Sequence, residues 1–415
     1  MTGWRALFFS CALLGCGAVR TEPEQRGVMA SPGPCGRGLV VVESDYQSSN
    51  VSALDFQGQV LSASLASSST EGSGFGLALS GDVVASDTPP SAARIALLDR
   101  YPAGVLRFID LATGQVSAEL SVATGFPANP QDYLALSEHR AYVSRYTSNP
   151  NPGRQAWDAG ADVLIVDPSL PTVTGRIDLA PAMQGEAAQF SAHPSRLLSA
   201  SGRVFVLLAS YADDYMSGTS SRLVELDPES DTLVSTLVLD GLRGCDSLAL
   251  SPDGKQLAVA CTGDDLRGMP PSITHSGLAL VDISGEAALA QRFEASTWGS
   301  APLGFALDYA APGLILVGSF GYFEESGAVG ALDSVLRVDT ATGAAQTLLR
   351  SQTQPFTLGA VRCASACGAC FIADAERSGG SVLRFAVDET GALGTPEAIR
   401  VETRVGLPPR YLSVF

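Results

Sequence analysis

The feature of this chain that most constrains its fold is a unit that recurs seven times. Each copy has an aliphatic strand, an aspartate, a short turn and a second strand, as in 105–114 (VLRFIDLATG) and 335–343 (VLRVDTATG). Successive aspartates are 55, 57, 60, 55, 57 and 49 residues apart. A near-constant period of this size predicts a propeller or a solenoid, in which each unit buries its faces only against its neighbours. The seven aspartates are Asp55, Asp110, Asp167, Asp227, Asp282, Asp339 and Asp388.

The turn that follows each aspartate indicates a structural role for it. An aspartate carboxylate can accept a hydrogen bond from the backbone N–H two residues further on, which fixes a hairpin turn. Between these turns the chain consists of short apolar, often β-branched runs separated by Gly, Pro, Asp and Ser, with no sustained helical period. The sequence therefore predicts an all-β fold.

One repeat divides into four strands, at 245–251, 255–261, 276–283 and 288–295, and a four-stranded unit of this length is typical of a propeller blade. The last residues, 409–415, resemble a first strand, whereas 38–45 resemble a second strand. Together they would complete one blade, and a closed ring leaves no exposed sheet edge. We therefore predict a seven-bladed β-propeller of four-stranded blades, closed by N- and C-terminal strands that share one blade.

The charge balance excludes two classes of partner. The chain has 26 Lys+Arg against 43 Asp+Glu, a formal net charge of −17, and Lys255 is its one lysine. Nucleic acids and anionic lipid surfaces are held by clusters of cations that displace counterions, so neither is expected as a partner of this surface. Three histidines leave little material for a histidine-rich metal site.

The N-terminus indicates export. One cation, Arg5, precedes an apolar run from residue 6 to 14, which is too short to span a bilayer but fits the core of a signal peptide. The segment Leu13-Leu14-Gly15-Cys16 resembles the lipobox of bacterial lipoproteins, and this resemblance implies cleavage before Cys16 and a lipid on that cysteine. The alternative is an ordinary secretory signal with a chance cysteine.

These observations divide the chain into a signal peptide (1–15), a lipidated N-terminus and flexible tether (16–34) and a seven-bladed propeller (35–415). In lipoprotein terms, Gly17 after the cysteine favours the outer membrane. The lipid is then the expected membrane anchor, and other envelope proteins are expected partners.

Two segments carry a family resemblance. Residues 247–263 (SLALSPDGKQLAVACTG) and 139–149 (HRAYVSRYTSN) are similar to the repeat of YVTN-type, lactonase-like seven-bladed β-propellers. The resemblance implies this fold, and it is weaker in the other units. Related propellers include lactonase-like enzymes, cofactor-dependent dehydrogenase subunits and non-catalytic surface proteins, so the resemblance predicts fold better than function.

Six cysteines remain once Cys11 is cleaved off and Cys16 is lipidated. In an exported protein an even number favours disulfides. Cys245 and Cys261 flank a hairpin and should face each other. The remaining four leave the pairing open, with Cys35 expected to join one of three cysteines near the last blade. The spacing of those three is also used for iron–sulfur clusters, but an exported all-β chain favours disulfides. The three are Cys363, Cys367 and Cys370.

A candidate ligand face lies where the second strands of the blades end. Acidic and aromatic residues alternate there, which predicts an acidic, aromatic-lined mouth suited to a small cation, an amine or a sugar ring. No resident cofactor is predicted, although calcium is possible. The alternative is that these acids only keep an acidic protein soluble. The candidates are Asp45, Tyr46, Tyr146, Asp213, Asp214, Asp264, Asp265, Tyr322, Asp374 and Glu376.

For function, the sequence favours a non-enzymatic binding or assembly platform at the bacterial cell envelope. The alternative is a lactonase-like hydrolase that uses the acidic face, with His193 and Asp264 as the candidate catalytic residues. No catalytic motif surrounds any of the histidines.

Overall fold

The computed structural model describes residues 27–28, 30–69, 78–264, 270–388, 390–401 and 406–415. Within these ranges the protein is all-β, with seven four-stranded antiparallel sheets and no α-helix. The predicted fold class and blade number are confirmed. No helix in these ranges is long and apolar enough to cross a membrane.

The strands form one blade after another along the chain, ordered within each blade from the innermost strand to the outermost. Blade 1 contains β30 (Pro409–Val414), β1 (Leu39–Ser44), β2 (Ser49–Leu54) and β3 (Val60–Ser67); blade 2 contains β4 (Val83–Ala85), β5 (Arg94–Asp99), β6 (Val105–Asp110) and β7 (Val116–Ser121); blade 3 contains β8 (Pro130–Ser137), β9 (Arg140–Ser148), β10 (Gly160–Asp167) and β11 (Thr172–Ile177); blade 4 contains β12 (Pro194–Ala200), β13 (Arg203–Leu208), β14 (Arg222–Asp227) and β15 (Thr232–Val238).

The last three blades follow the same order, with one added hairpin in blade 6 and four short 3-10 helices distributed over the chain. Blade 5 contains β16 (Cys245–Leu250), β17 (Gln256–Cys261), β18 (Gly277–Asp282) and β19 (Ala288–Glu294); blade 6 contains β20 (Leu303–Ala311), β21 (Leu314–Ser319), β24 (Ser334–Asp339) and β25 (Ala345–Arg350), with the hairpin β22 (Tyr322–Phe323) and β23 (Val329–Ala331); blade 7 contains β26 (Leu358–Ala364), β27 (Ala369–Asp374), β28 (Ser381–Ala386) and β29 (Glu397–Ile399); the 3-10 helices are Ala180–Met183, Ala295–Thr297, Ser365–Cys367 and Arg377–Gly379.

The repeated aspartates close the turns between the third and fourth strands. Asp167 Oδ1 accepts a hydrogen bond from Ser169 N at 2.8 Å, and Asp282 Oδ1 accepts one from Ser284 N at the same distance. All seven accept at least one backbone N–H two or three residues further on. Their predicted structural role is confirmed. These turns and those between first and second strands form what we call the lower face, and the opposite side is the upper face.

The two ends of the described chain meet in blade 1, as predicted. Strand β30 is the innermost strand and pairs with β1 in antiparallel register, with Val40 opposite Ser413. At the lower face, Phe415 N donates to Gly38 O at 3.0 Å, and the Phe415 side chain is fully buried. The ring is therefore closed by hydrogen bonds between residues at opposite ends of the sequence.

Neighbouring blades pack face to face through apolar side chains. Between blades 4 and 5, Phe205 and Leu207 of β13 belong to one buried cluster with Val259 of β17 and Val281 of β18. Alternate residues of each strand point to opposite faces of its sheet, so each blade contributes to the cluster on either side of it. A blade removed from the ring would expose both faces, which is why the seven units form one folded body.

The prediction of disulfide bonds is confirmed. Cys245–Cys261 crosses the first hairpin of blade 5, and Cys363–Cys370 crosses the first hairpin of blade 7. Cys35–Cys367 joins the segment before β1 to the lower face of blade 7. All six cysteines of the described part of the chain are bonded, so they offer no thiolates for an iron–sulfur cluster.

Several sequence predictions fall outside the described residues, namely the signal peptide, the lipidation site Cys16, residues 16–26 of the tether, and Asp265. One described part of the predicted tether lies on the ring: Val28 is 4% exposed and donates its N–H to Leu111 O in the lower face of blade 2.

Candidate functional site

A cavity of about 520 Å³ opens at the upper face. Its wall is formed by the innermost strands of six blades, which contribute residues from β4, β12, β16, β20, β26 and β30. Apolar side chains such as Val84, Leu248, Val361 and Leu412 make up much of this wall. The cavity lies where a propeller leaves a central channel, and its size suits a small organic molecule.

Six aromatic side chains, which we call the aromatic mouth, line the opening of the cavity. Three of them are unusually exposed for large apolar groups: Phe305 (50%), Phe356 (53%) and Tyr46 (62%). The Phe305 and Phe320 rings meet edge to face with centroids 4.9 Å apart, and Phe323 and Phe356 lie 6.2 Å apart. The sixth member is Tyr322.

The hairpin β22–β23 carries part of this mouth. It is inserted between the second and third strands of blade 6 and supplies Tyr322 and Phe323. The buried carboxylate of Asp333 fixes its base, accepting hydrogen bonds from Gly321 N at 2.7 Å and from Thr357 N at 2.7 Å. Because Thr357 belongs to the loop that carries Phe356, one carboxylate positions both sides of the mouth.

The charged side chains that line the cavity are three arginines and Asp333. Arg410 donates to Ser44 O at 3.3 Å and to Phe356 O at 2.7 Å, and its guanidinium lies 5.1 Å from the centre of the Tyr46 ring. Arg196 donates to Asp246 O at 3.1 Å, and Arg362 Nε lies 3.5 Å from Asp87 Oδ1. With three guanidinium groups against one carboxylate, the lining is cationic although the chain is strongly acidic.

Three carboxyl groups lie behind this wall, on the innermost strands β8, β16 and β20. Burial raises the pKa of Asp246 to about 7, against the attraction of Arg196. Burial raises the pKa of Asp308 to about 6, against the attraction of Arg362, and it also raises the pKa of Asp132. Asp132 Oδ2 accepts Leu197 N at 3.0 Å, and Asp308 Oδ2 accepts Cys363 N at 2.8 Å, so two of the three link neighbouring blades.

The acids predicted for the ligand face are mostly engaged in fixing loops. Asp45 accepts the N–H groups of Gln47 and Ser48, and Asp374 is buried, paired with Arg377 and bonded to Glu376 N. Glu376 accepts two N–H groups of the loop after β25, and Asp214 accepts Met216 N. Of the ten predicted residues, Tyr46 and Tyr322 line the cavity within the described part of the chain.

His193, a candidate catalytic residue of the hydrolase alternative, lies in a separate aromatic cluster. It is 1% exposed, its Nδ1 lies 2.7 Å from Tyr146 O, and its Nε2 lies 4.0 Å from Asp213 Oδ1. The rings of Tyr146 and Tyr215 cover it, with centroids 4.7 and 5.2 Å from the imidazole. Burial lowers the pKa of His193, which keeps the ring neutral at physiological pH.

Asp264, the other candidate catalytic residue, pairs elsewhere. Its Oδ2 lies 2.5 Å from His275 Nδ1, and its Oδ1 lies 2.9 Å from Arg243 Nη1. Asp264 and His193 thus belong to two different clusters, and neither lines the central cavity. In the described ranges, no group of three or more His, Cys, Asp or Glu side chains could hold a metal ion.

Sequence reasoning missed most of the cavity. It identified Tyr46 and the segment of Tyr322, because both follow second strands, but not Phe305, which lies in β20, or Phe356, which precedes β26. It also missed Arg196 and Arg362, which lie in innermost strands. An alignment of the first strands would have found only part of this set, because Arg196 and Phe305 are third in their strands, whereas Arg362 is fifth in β26 and Phe356 precedes it.

Comparisons with known proteins identify the fold. No protein-family model and no curated protein matches the sequence. Among solved structures, a Lactobacillus plantarum protein has a TM-score of 0.57 and 13% identity, with 91% of this chain and 98% of that chain covered. The periplasmic gluconolactonase of Pseudomonas aeruginosa has a TM-score of 0.54 and 14% identity, with 90% and 98% covered. A β-propeller domain from Myceliophteria thermophila has a TM-score of 0.54 and 11% identity, with 82% and 94% covered.

The chain is a seven-bladed β-propeller. At these identities the likeness concerns the fold alone, since a propeller supports many unrelated functions. The activity of the gluconolactonase therefore says nothing by itself about this chain, and function has to be inferred from the cavity.

Proposed function

We propose that this protein is an exported, lipid-anchored β-propeller of the bacterial outer membrane that binds a small ring-bearing molecule in its central cavity. The observation that carries the proposal is the aromatic mouth over a cavity of about 520 Å³. Binding without chemical conversion is the function that these side chains support best.

The aromatic mouth supports a ligand with a flat or ring-shaped apolar face. Phenylalanine and tyrosine rings stack against sugar and aromatic rings, and a largely apolar cavity with a few polar groups is typical of small-molecule sites. The sugar ring expected from the sequence agrees with this lining. The cation expected from the sequence does not, because Arg196, Arg362 and Arg410 would repel it.

The hydrolase alternative has less support. None of the three histidines, all of which the structure describes, lines the cavity. His193 is covered by two tyrosine rings, and Asp264 is paired with His275 and Arg243. A general base must reach the proton that it removes, and His193 has no open path to a ligand in the central cavity.

The neutral fluorescent probe N-phenyl-1-naphthylamine tests cavity binding. We expect its fluorescence to rise on addition of the protein, and we expect the double variant Phe305→Ala/Phe356→Ala to bind it about tenfold more weakly, since two stacking partners are removed. Trp157→Ala is the matched control, because Trp157 is also exposed but does not line the cavity. No binding to the wild type, or equal binding to the double variant, would refute the proposal.

The anchor is tested separately by fractionation of cells. We expect the wild type in the outer-membrane fraction and a Cys16→Ser variant in the soluble fraction, because the thiol is the atom that carries the lipid. Mass spectrometry of the mature N-terminus checks the modification. Recovery of both forms in the soluble fraction would contradict the anchor and leave the cavity proposal unaffected.

A further inference from the structure

The cavity wall contains a buried polar group that forms no hydrogen bond within the described part of the protein. Ser247, on β16, lines the cavity and is 4% exposed. Its Oγ has no hydrogen-bond partner among the described residues. Native proteins retain few buried polar atoms without a partner, so such an atom needs an explanation, and binding of a ligand supplies one.

Two guanidinium groups line the same cavity. Arg196 comes from β12 in blade 4 and Arg362 from β26 in blade 7, so that they and Ser247 belong to three blades. Arg362 Nε is buried and forms no hydrogen bond of good geometry; its nearest acceptor is its ion-pair partner Asp87 Oδ1, at 3.5 Å. The cavity wall therefore presents one hydroxyl without an acceptor among the described residues and one N–H that is held only by a long ion-pair contact.

The backbone explains how these side chains reach the channel. The innermost strands β12, β16 and β26 each have an irregular register at their upper ends, between Pro194 and Arg196, between Cys245 and Ser247, and between Leu358 and Val361. Irregularities of this kind change the direction of the side chains that follow them, and they are frequent beside binding sites.

From these contacts we propose that Arg196, Ser247 and Arg362 form an oxyanion subsite, and that the ligand of the cavity is a ring-bearing organic acid. This inference rests on the proposed function: the ring stacks in the aromatic mouth, and the acidic group lies deeper, against the guanidinium groups and the hydroxyl. Guanidinium groups bind carboxylates and sulfonates through charge-assisted hydrogen bonds, which adds affinity and orientation.

Four carboxyl groups lie near these arginines, namely Asp87, Asp132, Asp246 and Asp308. Burial raises the pKa of Asp246 to about 7 and that of Asp308 to about 6, and it also raises the pKa of Asp132, so these three carboxyls are less fully ionised near neutral pH than an exposed aspartate. Asp132 and Asp308 also accept backbone N–H groups.

The experiment compares two probes that differ by one charged group. N-phenyl-1-naphthylamine is neutral, and 1-anilinonaphthalene-8-sulfonate carries the same rings with a sulfonate. We expect the wild type to bind the sulfonate about tenfold more tightly than the neutral probe. Arg362→Gln is expected to abolish this preference, and Ser247→Ala to reduce it about fivefold, each measured as the ratio of the affinities of the two probes for the same variant.

Ser413→Ala is the matched control. Ser413 Oγ is also buried without a partner among the described residues, but Ser413 lies outside the cavity lining. Both serine variants should unfold at or slightly above the wild-type temperature, because each removes an unsatisfied polar atom. Only Ser247→Ala should change binding of the sulfonate probe. If Arg362→Gln does not fold, this pair of serine variants still decides the question.

The outcomes separate the two proposals. Binding of the neutral probe with no preference for the sulfonate, or a preference that survives in Ser247→Ala and Arg362→Gln, would overturn the oxyanion subsite and leave cavity binding in place. Binding of neither probe would overturn the proposed function itself.

Discussion

Replacement of Arg145 by methionine is expected to lower the free energy of unfolding by about 3–5 kcal/mol, because it leaves the buried Asp162 carboxylate without its main partner. Both side chains are 0% exposed, and Arg145 donates to the two oxygens of Asp162 at 2.7 Å each. Arg145 also donates to Thr124 Oγ1 and Trp157 O, so the variant should loosen the loop that joins β9 to β10.

Arg176→Met is the control for this experiment. Arg176 contacts the same carboxylate, at 2.8 Å, but its own side chain is 25% exposed. An ion pair of that exposure contributes about 0–1 kcal/mol. Urea unfolding followed by circular dichroism measures both variants. Equal losses of unfolding free energy in Arg145→Met and Arg176→Met would show that burial of the arginine does not determine how much its ion pair with Asp162 contributes.

Replacement of Asp246 by asparagine is expected to stabilise the protein by about 2 kcal/mol at about pH 8, with a much smaller effect at about pH 4. Burial raises the pKa of this carboxyl from 3.8 to about 7, so the folded state holds a proton that the unfolded state has released. The stability that this proton gives is complete below about pH 4 and is lost as the pH rises to about 7. Asparagine cannot ionise and avoids that loss.

Unfolding by urea at both pH values tests this prediction. Asp240→Asn, at an exposed position, serves as the control and should change neither value. A stabilisation by Asp246→Asn of the same size at both pH values would assign the effect to packing and not to ionisation. A destabilisation at about pH 8 would show that the carboxylate is charged and stabilising in the folded ring.

The fold could be predicted because its main signals are contacts between residues that are close together in the sequence. The turn aspartates act within four residues of themselves, as Asp55 does with Gln57 and Gln59, and so each repeat carries its own evidence. The Cys245–Cys261 pair is similarly local, because its two residues face each other across one hairpin. Closure of the ring was predicted from the same strand pattern, because residues 409–415 resemble a first strand and residues 38–45 a second strand.

The cavity was not predictable by the same means. Arg196, Ser247 and Arg362 lie far apart in the sequence and meet only because seven blades close into a ring. A one-residue irregularity also decides which face of a strand a side chain occupies, and no pattern in the sequence shows where it falls.

The predicted acids that the structure describes lie outside the cavity lining for a related reason. Asp45 and Asp374 follow second strands, as a ligand-binding carboxylate would, but they accept hydrogen bonds from their own loops. An aspartate at the end of a second strand can either close its own loop or bind a ligand. Only the positions of nearby N–H groups distinguish a carboxylate that closes a loop from one that faces a ligand.

The Cys35–Cys367 disulfide has a mechanical consequence for the proposed lipid anchor. Residues 27–28 and 30–38 lie on the lower face, where Val28 pairs with blade 2 and Cys35 is bonded to blade 7. A force applied through a lipid on Cys16 would act first on the hydrogen bond between Val28 and blade 2 and then on the Cys35–Cys367 disulfide. Both contacts precede β1 in the chain, so they would bear the force before the pairing of β1 with β30. The described part of this attachment lies on the face opposite the aromatic mouth, so a lipid on Cys16 would leave the mouth open to a ligand.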